Sequence, residues 1–178
     1  TPSTPPGRWR ERAQSLLSTS VSGASLAVLR IAVGLVMILE SISIFLPSER
    51  SGGLSHLDVY YTGQGITFNF PYEGFGWLPL LPTPWFQLLC GLMGLAAFSM
   101  ALGFQYRLST ALTFLAWGYL YAVESTRTYW MSYYYLELLV LFLLLWMPAS
   151  ACFSVDAWRK GTHNSGSIPF WPIALLRG

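Results

Sequence analysis

Four apolar runs, each close to the length of a membrane-spanning helix, dominate this sequence. They cover residues 25–46, 85–104, 107–124 and 130–147, and charged residues or prolines mark most of their ends. A helix that crosses a bilayer core about 30 Å thick needs about 20 largely apolar residues. The runs therefore predict an all-α integral membrane protein with four transmembrane helices.

The composition supports a membrane location. Charged residues make up 10% of the chain and apolar residues 53%, whereas a soluble domain is roughly 25% charged. The net charge of +2 is too small and too scattered for a surface that follows nucleic-acid phosphates. Two cysteines provide neither a disulfide framework nor a cysteine-based metal site. We expect the lipid bilayer to be the main partner and expect no nucleic acid.

Basic residues flank the four runs unevenly, and this asymmetry predicts the orientation of the chain. If the N-terminus is cytoplasmic, only Arg50 and Arg127 lie on the opposite side. The cytoplasmic side then carries Arg8, Arg10, Arg12, Arg107, Arg159, Lys160 and Arg177. We therefore expect a multi-pass protein with both termini in the cytoplasm.

The same pattern divides the chain into three parts. Residues 1–24 form a cytoplasmic or interfacial segment, residues 25–149 form the four-helix membrane domain, and residues 150–178 form a cytoplasmic tail. The end of this tail is apolar again and resembles the entrance to a further membrane element. Between the first two helices, residues 48–84 form a long outer loop rich in glycine and aromatic residues. We expect this loop to pack over the outer ends of the helices.

Two carboxyl groups fall inside the predicted spans. Glu40 lies about seven residues before the outer end of the first span, and Glu137 about seven residues after the outer start of the fourth. With a rise of 1.5 Å per residue, both lie roughly 10 Å below the outer surface. A carboxyl group at this depth needs a partner or a neutral form. The pair is predicted either to share a proton or bind a cation, or to make ordinary hydrogen bonds between helices.

Three further side chains have both a functional and a structural interpretation. Arg127, in the outer turn before the fourth span, could bind an anionic group or pair with Glu124. Tyr133 belongs to an aromatic run that could line a pocket for a quinone or pigment, or form an interfacial belt. Arg30 lies near the inner start of the first span and is expected to extend its guanidinium to the headgroups. No HExxH, GxSxG or P-loop motif occurs, so no catalytic or metal-ligating residue is predicted.

The order of several short motifs resembles the horizontally transferred transmembrane (HTTM) domain family, which includes the vitamin K-dependent gamma-glutamyl carboxylases. The similarity extends over about residues 25–177. The motifs are LRI at 29–31 with Gly34, FNFPYEGFGW at 68–77, LGFQYR at 102–107, WMSYYYL at 130–136, FSVDA at 153–157 and PFWP at 169–172.

The resemblance implies a quinone-dependent chemistry that this chain does not carry in full. The carboxylases use a lysine just before the fourth helix as the base that activates vitamin K hydroquinone. That position matches Ser125 or Arg127 here, and an arginine stays protonated and cannot act as an ordinary base. The family's Asn-His pair is replaced by Ser132 and Tyr133. The resemblance therefore implies a catalytically degenerate or truncated member.

Three functions are compatible with these observations. The first is a non-catalytic membrane subunit that stabilises a larger photosynthetic or respiratory complex. The second is a quinone-dependent enzyme of the carboxylase or epoxidase kind, and the third is a module that binds a lipid, quinone or pigment. In the second and third, Glu40, Glu137, Arg127 and Tyr133 are the candidate ligand-binding residues. The balance favours a protein that is not an enzyme.

Overall fold

The computed structural model describes residues 20–47, 55–61, 71–123, 133–161 and 167–169. Four long helices lie in this part of the chain: α1 (Ala24–Phe45), α3 (Thr83–Leu102), α4 (Tyr106–Val123) and α5 (Tyr133–Trp146). Two short helices and two short strands accompany them: α2 (His56–Tyr60), α6 (Val155–Arg159), β1 (Ser20–Ser22) and β2 (Ser167–Pro169). The two strands pair antiparallel, with Val21 opposite Ile168.

Two of the four long helices are long and apolar enough to cross a membrane. These are α1, with 22 residues and a mean hydropathy of 2.1, and α3, with 20 residues and a mean hydropathy of 1.7. Only 28% and 33% of their spans are buried inside the fold. The core helix of a soluble protein would be mostly buried, so the apolar outer surface of both helices indicates a membrane protein.

The other two predicted runs are also helical but meet the length and hydropathy requirement less well. Helix α4 has 18 residues, and its first turn contains the exposed Arg107. Helix α5 is apolar but has 14 described residues. Residues 130–132, the predicted start of the fourth run, lie outside the described residues.

The long helices pack in a chain of neighbours. Helix α1 packs along α3, α3 along α4 and α4 along α5, while α1 also contacts α5. Small residues allow α1 and α3 to approach closely. A Cβ atom added to Gly34 would lie 2.7 Å from the Cβ atom of Ala101. On the same interface, the Ser41 hydroxyl donates a hydrogen bond to the Cys90 carbonyl at 2.7 Å.

The described part of the predicted outer loop contacts the adjacent end of α4. The Tyr72 amide donates to the Ala122 carbonyl at 2.9 Å. The Tyr119 hydroxyl donates to the Pro79 carbonyl at 2.7 Å and accepts from the Leu81 amide at 3.2 Å. These bonds attach residues 71–82 to one end of the helix. Trp77 is nevertheless 75% exposed, and residues 48–54 and 62–70 of the predicted loop lie outside the described residues.

Candidate functional site

The two predicted carboxyl groups lie on α1 and α5, helices that contact each other. Glu40 on α1 and Glu137 on α5 are both half-buried. Tyr133, one helical turn before Glu137, lies close enough to both carboxyl groups to interact with them electrostatically. The Ser43 hydroxyl donates to the Glu40 backbone carbonyl at 2.8 Å and lies 3.4 Å from a carboxyl oxygen of the same residue. We call Glu40, Tyr133 and Glu137 the outer cluster. Arg127, the fourth predicted residue, lies outside the described residues.

A series of contacting aromatic rings connects the outer cluster with α4. The rings of Tyr133 and Tyr134 lie 4.3 Å apart, centre to centre. The Tyr134 ring meets the Trp117 ring edge to face at 5.4 Å. Trp117 is 3% exposed, and its indole Nε1 is buried without a hydrogen-bond acceptor among the described residues. An unsatisfied buried donor costs free energy, which an acceptor atom of a bound molecule would recover.

The sequence motifs did not identify Trp117 as a candidate site residue, although its position within the predicted span is a signal. Tryptophans of an interfacial belt lie near the ends of a span. Trp117 lies six residues before the end of α4, which is about 9 Å along the helix axis. Its indole N–H therefore cannot reach the headgroup region as easily as a belt residue does. A tryptophan inside a predicted span is a candidate for an internal hydrogen bond.

The outer cluster offers donors and acceptors rather than a metal site. Among the described residues, no group of three or more His, Cys, Asp or Glu side chains is placed to hold a metal ion. A tyrosine hydroxyl and a protonated carboxyl of the cluster, like the neighbouring indole N–H of Trp117, can each donate to a carbonyl oxygen. An ionised carboxylate can instead accept a proton or attract a cation.

A second cluster lies at the opposite end of the bundle, the inner end in the predicted orientation. We call Arg30, Gly103, Tyr106 and Asp156 the inner cluster. Here the expectation for Arg30 is wrong. Arg30 is completely buried instead of extending to the headgroups. Its guanidinium donates to the carbonyls of Ala149 and Phe153, each at 2.6 Å. These carbonyls belong to the turn between α5 and α6. Carbonyls that follow a helix end lack partners within the helix, and a guanidinium with five N–H donors can satisfy several of them at once.

The inner cluster also fixes the start of α4. The Asp156 carboxylate accepts from the Gln105 and Tyr106 amides at 3.1 and 3.0 Å. In return, the Asp156 amide donates to the Gly103 carbonyl at 3.1 Å. The Tyr106 hydroxyl donates to the Leu144 carbonyl on α5. Asp156 thus caps the N-terminus of α4 from a segment about fifty residues away in sequence.

Gly103 has two reasons to be glycine. Its φ of +69° lies in the left-handed region and ends α3, a conformation that glycine adopts without steric cost. A Cβ atom would lie 2.9 Å from Nη1 of Arg30 and even closer to Ser154. The turn from α3 to α4 therefore packs directly on the arginine.

The whole-chain comparison agrees with the motifs. A family model described as the HTTM domain matches residues 19–178. The chain belongs to the HTTM-domain family. No solved structure matches it.

Three family-like motifs meet in the inner cluster of this HTTM domain. LRI contributes Arg30, LGFQYR contributes Gly103 and Tyr106, and FSVDA contributes Asp156. These motifs are dispersed over more than a hundred residues, yet they form one hydrogen-bonded unit. Among the described residues, the resemblance at this end therefore reflects how the HTTM helices are joined. The position of the carboxylase lysine falls within residues 124–132, outside the described residues.

Proposed function

We propose that this HTTM domain is a non-catalytic subunit that packs against and stabilises a larger membrane complex, photosynthetic or respiratory. In this proposal it crosses the bilayer four times, with both termini in the cytoplasm. The match to the HTTM domain and the two span-length helices support insertion in a membrane.

The distribution of side chains on α4 supports a third crossing. Its polar residues Ser109, Thr110 and Thr113 are buried, and the two threonine hydroxyls bond to carbonyls one turn earlier. Its outward face carries Leu108, Leu112 and Leu115, which are 50–64% exposed. A helix with this arrangement is compatible with lipid despite its polar residues, because hydrocarbon touches only the leucine face.

The main support for the subunit role is that buried polar side chains bond to the backbone of other segments. Arg30, Ser41 and Tyr106 are buried, and each donates to a backbone carbonyl of another segment. Asp156 joins two segments in the same way. Such bonds give a rigid body, while the large apolar side chains of α1 and α5 stay on the outside. A rigid body with an apolar surface is suited to packing against other membrane helices.

Purification from native membranes in a mild detergent tests this role. We expect the tagged protein to elute with other membrane proteins in a fixed stoichiometry, at a mass well above its own 19.9 kDa plus detergent. Membranes should form no epoxide and fix no labelled bicarbonate when reduced vitamin K is added. A monodisperse monomer, or turnover in the vitamin K assay, would contradict the proposal.

The outer cluster favours a second candidate function, the binding of a quinone or pigment. The specific observation is the buried Nε1 donor of Trp117 beside Tyr134 and the outer cluster. A ligand carbonyl would satisfy this donor. If the candidate is correct, extraction of the purified protein yields a quinone or pigment, and Trp117→Phe or Glu137→Gln lowers its amount severalfold. Trp85→Phe is the matched control, because Trp85 is 62% exposed.

A further inference from the structure

A groove between α3 and α4 has no role in the functions considered so far. Its volume is about 510 Å³, and almost all of its surface is apolar. Five leucines along it are at least half exposed, so the groove opens to the outside of the bundle. They are Leu92, Leu95, Leu108, Leu112 and Leu115.

The length of the groove matches one leaflet of a bilayer. On α4 its lining extends from Leu108 to Tyr119, which corresponds to about 17 Å at 1.5 Å per residue. One leaflet contributes about half of the 30 Å hydrocarbon core. A groove of this length accommodates the acyl chain of a lipid from a single leaflet.

The two ends of the groove differ in polarity. At one end, Tyr119 lines it, and the hydroxyl of this tyrosine bonds to the backbone of Pro79 and Leu81. At the other end the lining contains Ser99, the exposed Gln105 and the buried Ser109, whose hydroxyl already donates to backbone carbonyls. A polar headgroup would therefore lie at the Gln105 end, which is the cytoplasmic end in the proposed orientation.

The charges beside this polar end are mainly positive. The guanidinium carbon of Arg159 lies 5.9 Å from the ring centre of Phe104, which lines the groove. Arg107 is exposed in the first turn of α4, next to the lining residue Leu108. The acidic Asp156 also lies at this end, and both of its carboxylate oxygens accept from backbone amides. Two exposed arginines are thus available to an anionic group.

From these features we infer that the groove binds an anionic phospholipid of the cytoplasmic leaflet. One acyl chain lies between α3 and α4, and the phosphate lies near Arg107 and Arg159. Basic side chains at a membrane surface attract anionic lipids, while the buried acyl chain supplies apolar contact area. The inference rests on the proposed insertion in a membrane and on the proposed orientation, but not on the existence of a partner complex.

Competition between two lipids tests the headgroup. The purified protein is incubated in detergent with an equimolar mixture of phosphatidylglycerol and phosphatidylcholine, and native mass spectrometry counts the bound lipids. We expect one tightly retained phosphatidylglycerol per chain and several times less phosphatidylcholine. Equal retention of the two lipids would overturn the inference, because it is the behaviour of ordinary surrounding lipid.

Variants test the position of the site. Leu112→Trp fills the groove and should lower lipid retention severalfold, whereas Leu35→Trp should not. Leu35 is the matched control because it is 53% exposed on α1 and does not line the groove. Arg159→Gln and Arg107→Gln should each reduce the preference for phosphatidylglycerol about fivefold. An unchanged preference in both arginine variants would overturn the inference. A protein without a partner complex would still pass these tests, so the two proposals fail separately.

Discussion

Arg30 shows how a single buried cation joins distant parts of this chain. Its guanidinium fills the inner end of the bundle and binds carbonyls that lie after α5. Replacement by methionine keeps much of the bulk but removes the donors, which leaves the buried Ala149 carbonyl without the bond that it accepts from Arg30. We expect Arg30→Met to lower the free energy of unfolding by about 3 kcal/mol. Thermal unfolding in detergent, followed by circular dichroism, measures the loss.

Two further variants make the Arg30 experiment specific. Arg30→Lys should recover only part of the stability, because an ammonium group lacks the planar set of donors that reaches several carbonyls. Lys160→Gln, at an exposed position, should leave the unfolding temperature unchanged. An Arg30→Met protein as stable as the wild type would show that these bonds contribute little.

Asp156 permits an independent test of the inner cluster. Its carboxylate caps the start of α4 through two amides. Asp156→Ala should therefore cost about 1–2 kcal/mol, as for the loss of an N-cap, and Asp156→Asn should cost less because one acceptor remains. Urea titration of the purified protein provides the comparison, with the exposed Glu73→Gln as control. Equal stability of Asp156→Ala and the wild type would contradict this role.

How well the environment of a residue could be predicted depended on where its partners lie in the sequence. The fixed rise of a helix predicts a similar depth for Glu40 and Glu137, and in the structure both carboxyl groups interact electrostatically with Tyr133. The environment of Arg30 could not be predicted in this way. Its acceptors follow it by more than a hundred residues, and nothing near Arg30 in the sequence shows that a later turn covers it.

At the scale of helices, the close contact between α1 and α3 depends on a glycine, which has no side chain. A Cβ atom at Gly34 would lie 2.7 Å from Ala101, whereas a Cβ atom at Gly91 would meet no atom within 4 Å. Gly34→Leu should therefore push the helices apart and cost about 1–3 kcal/mol. Gly91→Ala is the control and should be neutral or slightly stabilising. Their unfolding temperatures make the comparison, and equal values would contradict this packing.

The end of a helix could be predicted from the sequence where a neighbouring residue determines it. Helix α1 was predicted at residues 25–46 and extends over Ala24–Phe45, because Pro47 cannot continue it. Helix α3 was predicted at residues 85–104 but ends at Leu102. The apolar run continues through Phe104, so hydropathy alone misses the stop that Gly103 imposes through its positive φ.

For the whole molecule, the four-crossing proposal predicts which positions face opposite sides of the membrane. Glu73 lies between α1 and α3, and Lys160 follows α6; both are exposed. In sealed cells, an impermeant maleimide should label Glu73→Cys but not Lys160→Cys, which should react only after the membrane is opened. The native Cys90 and Cys152 are buried, so their background should be low. Labelling of both positions in intact cells would contradict the topology.

The position of the Arg30 acceptors has a consequence for biogenesis. The arginine is translated 123 residues before Phe153, which carries one of these carbonyls. At about 5–20 residues per second, the ribosome needs roughly 6–25 s to make that stretch. During this interval the nascent first helix contains a cation without its final acceptors, and the bonds of Arg30 can form only after the turn that follows α5 has been synthesised.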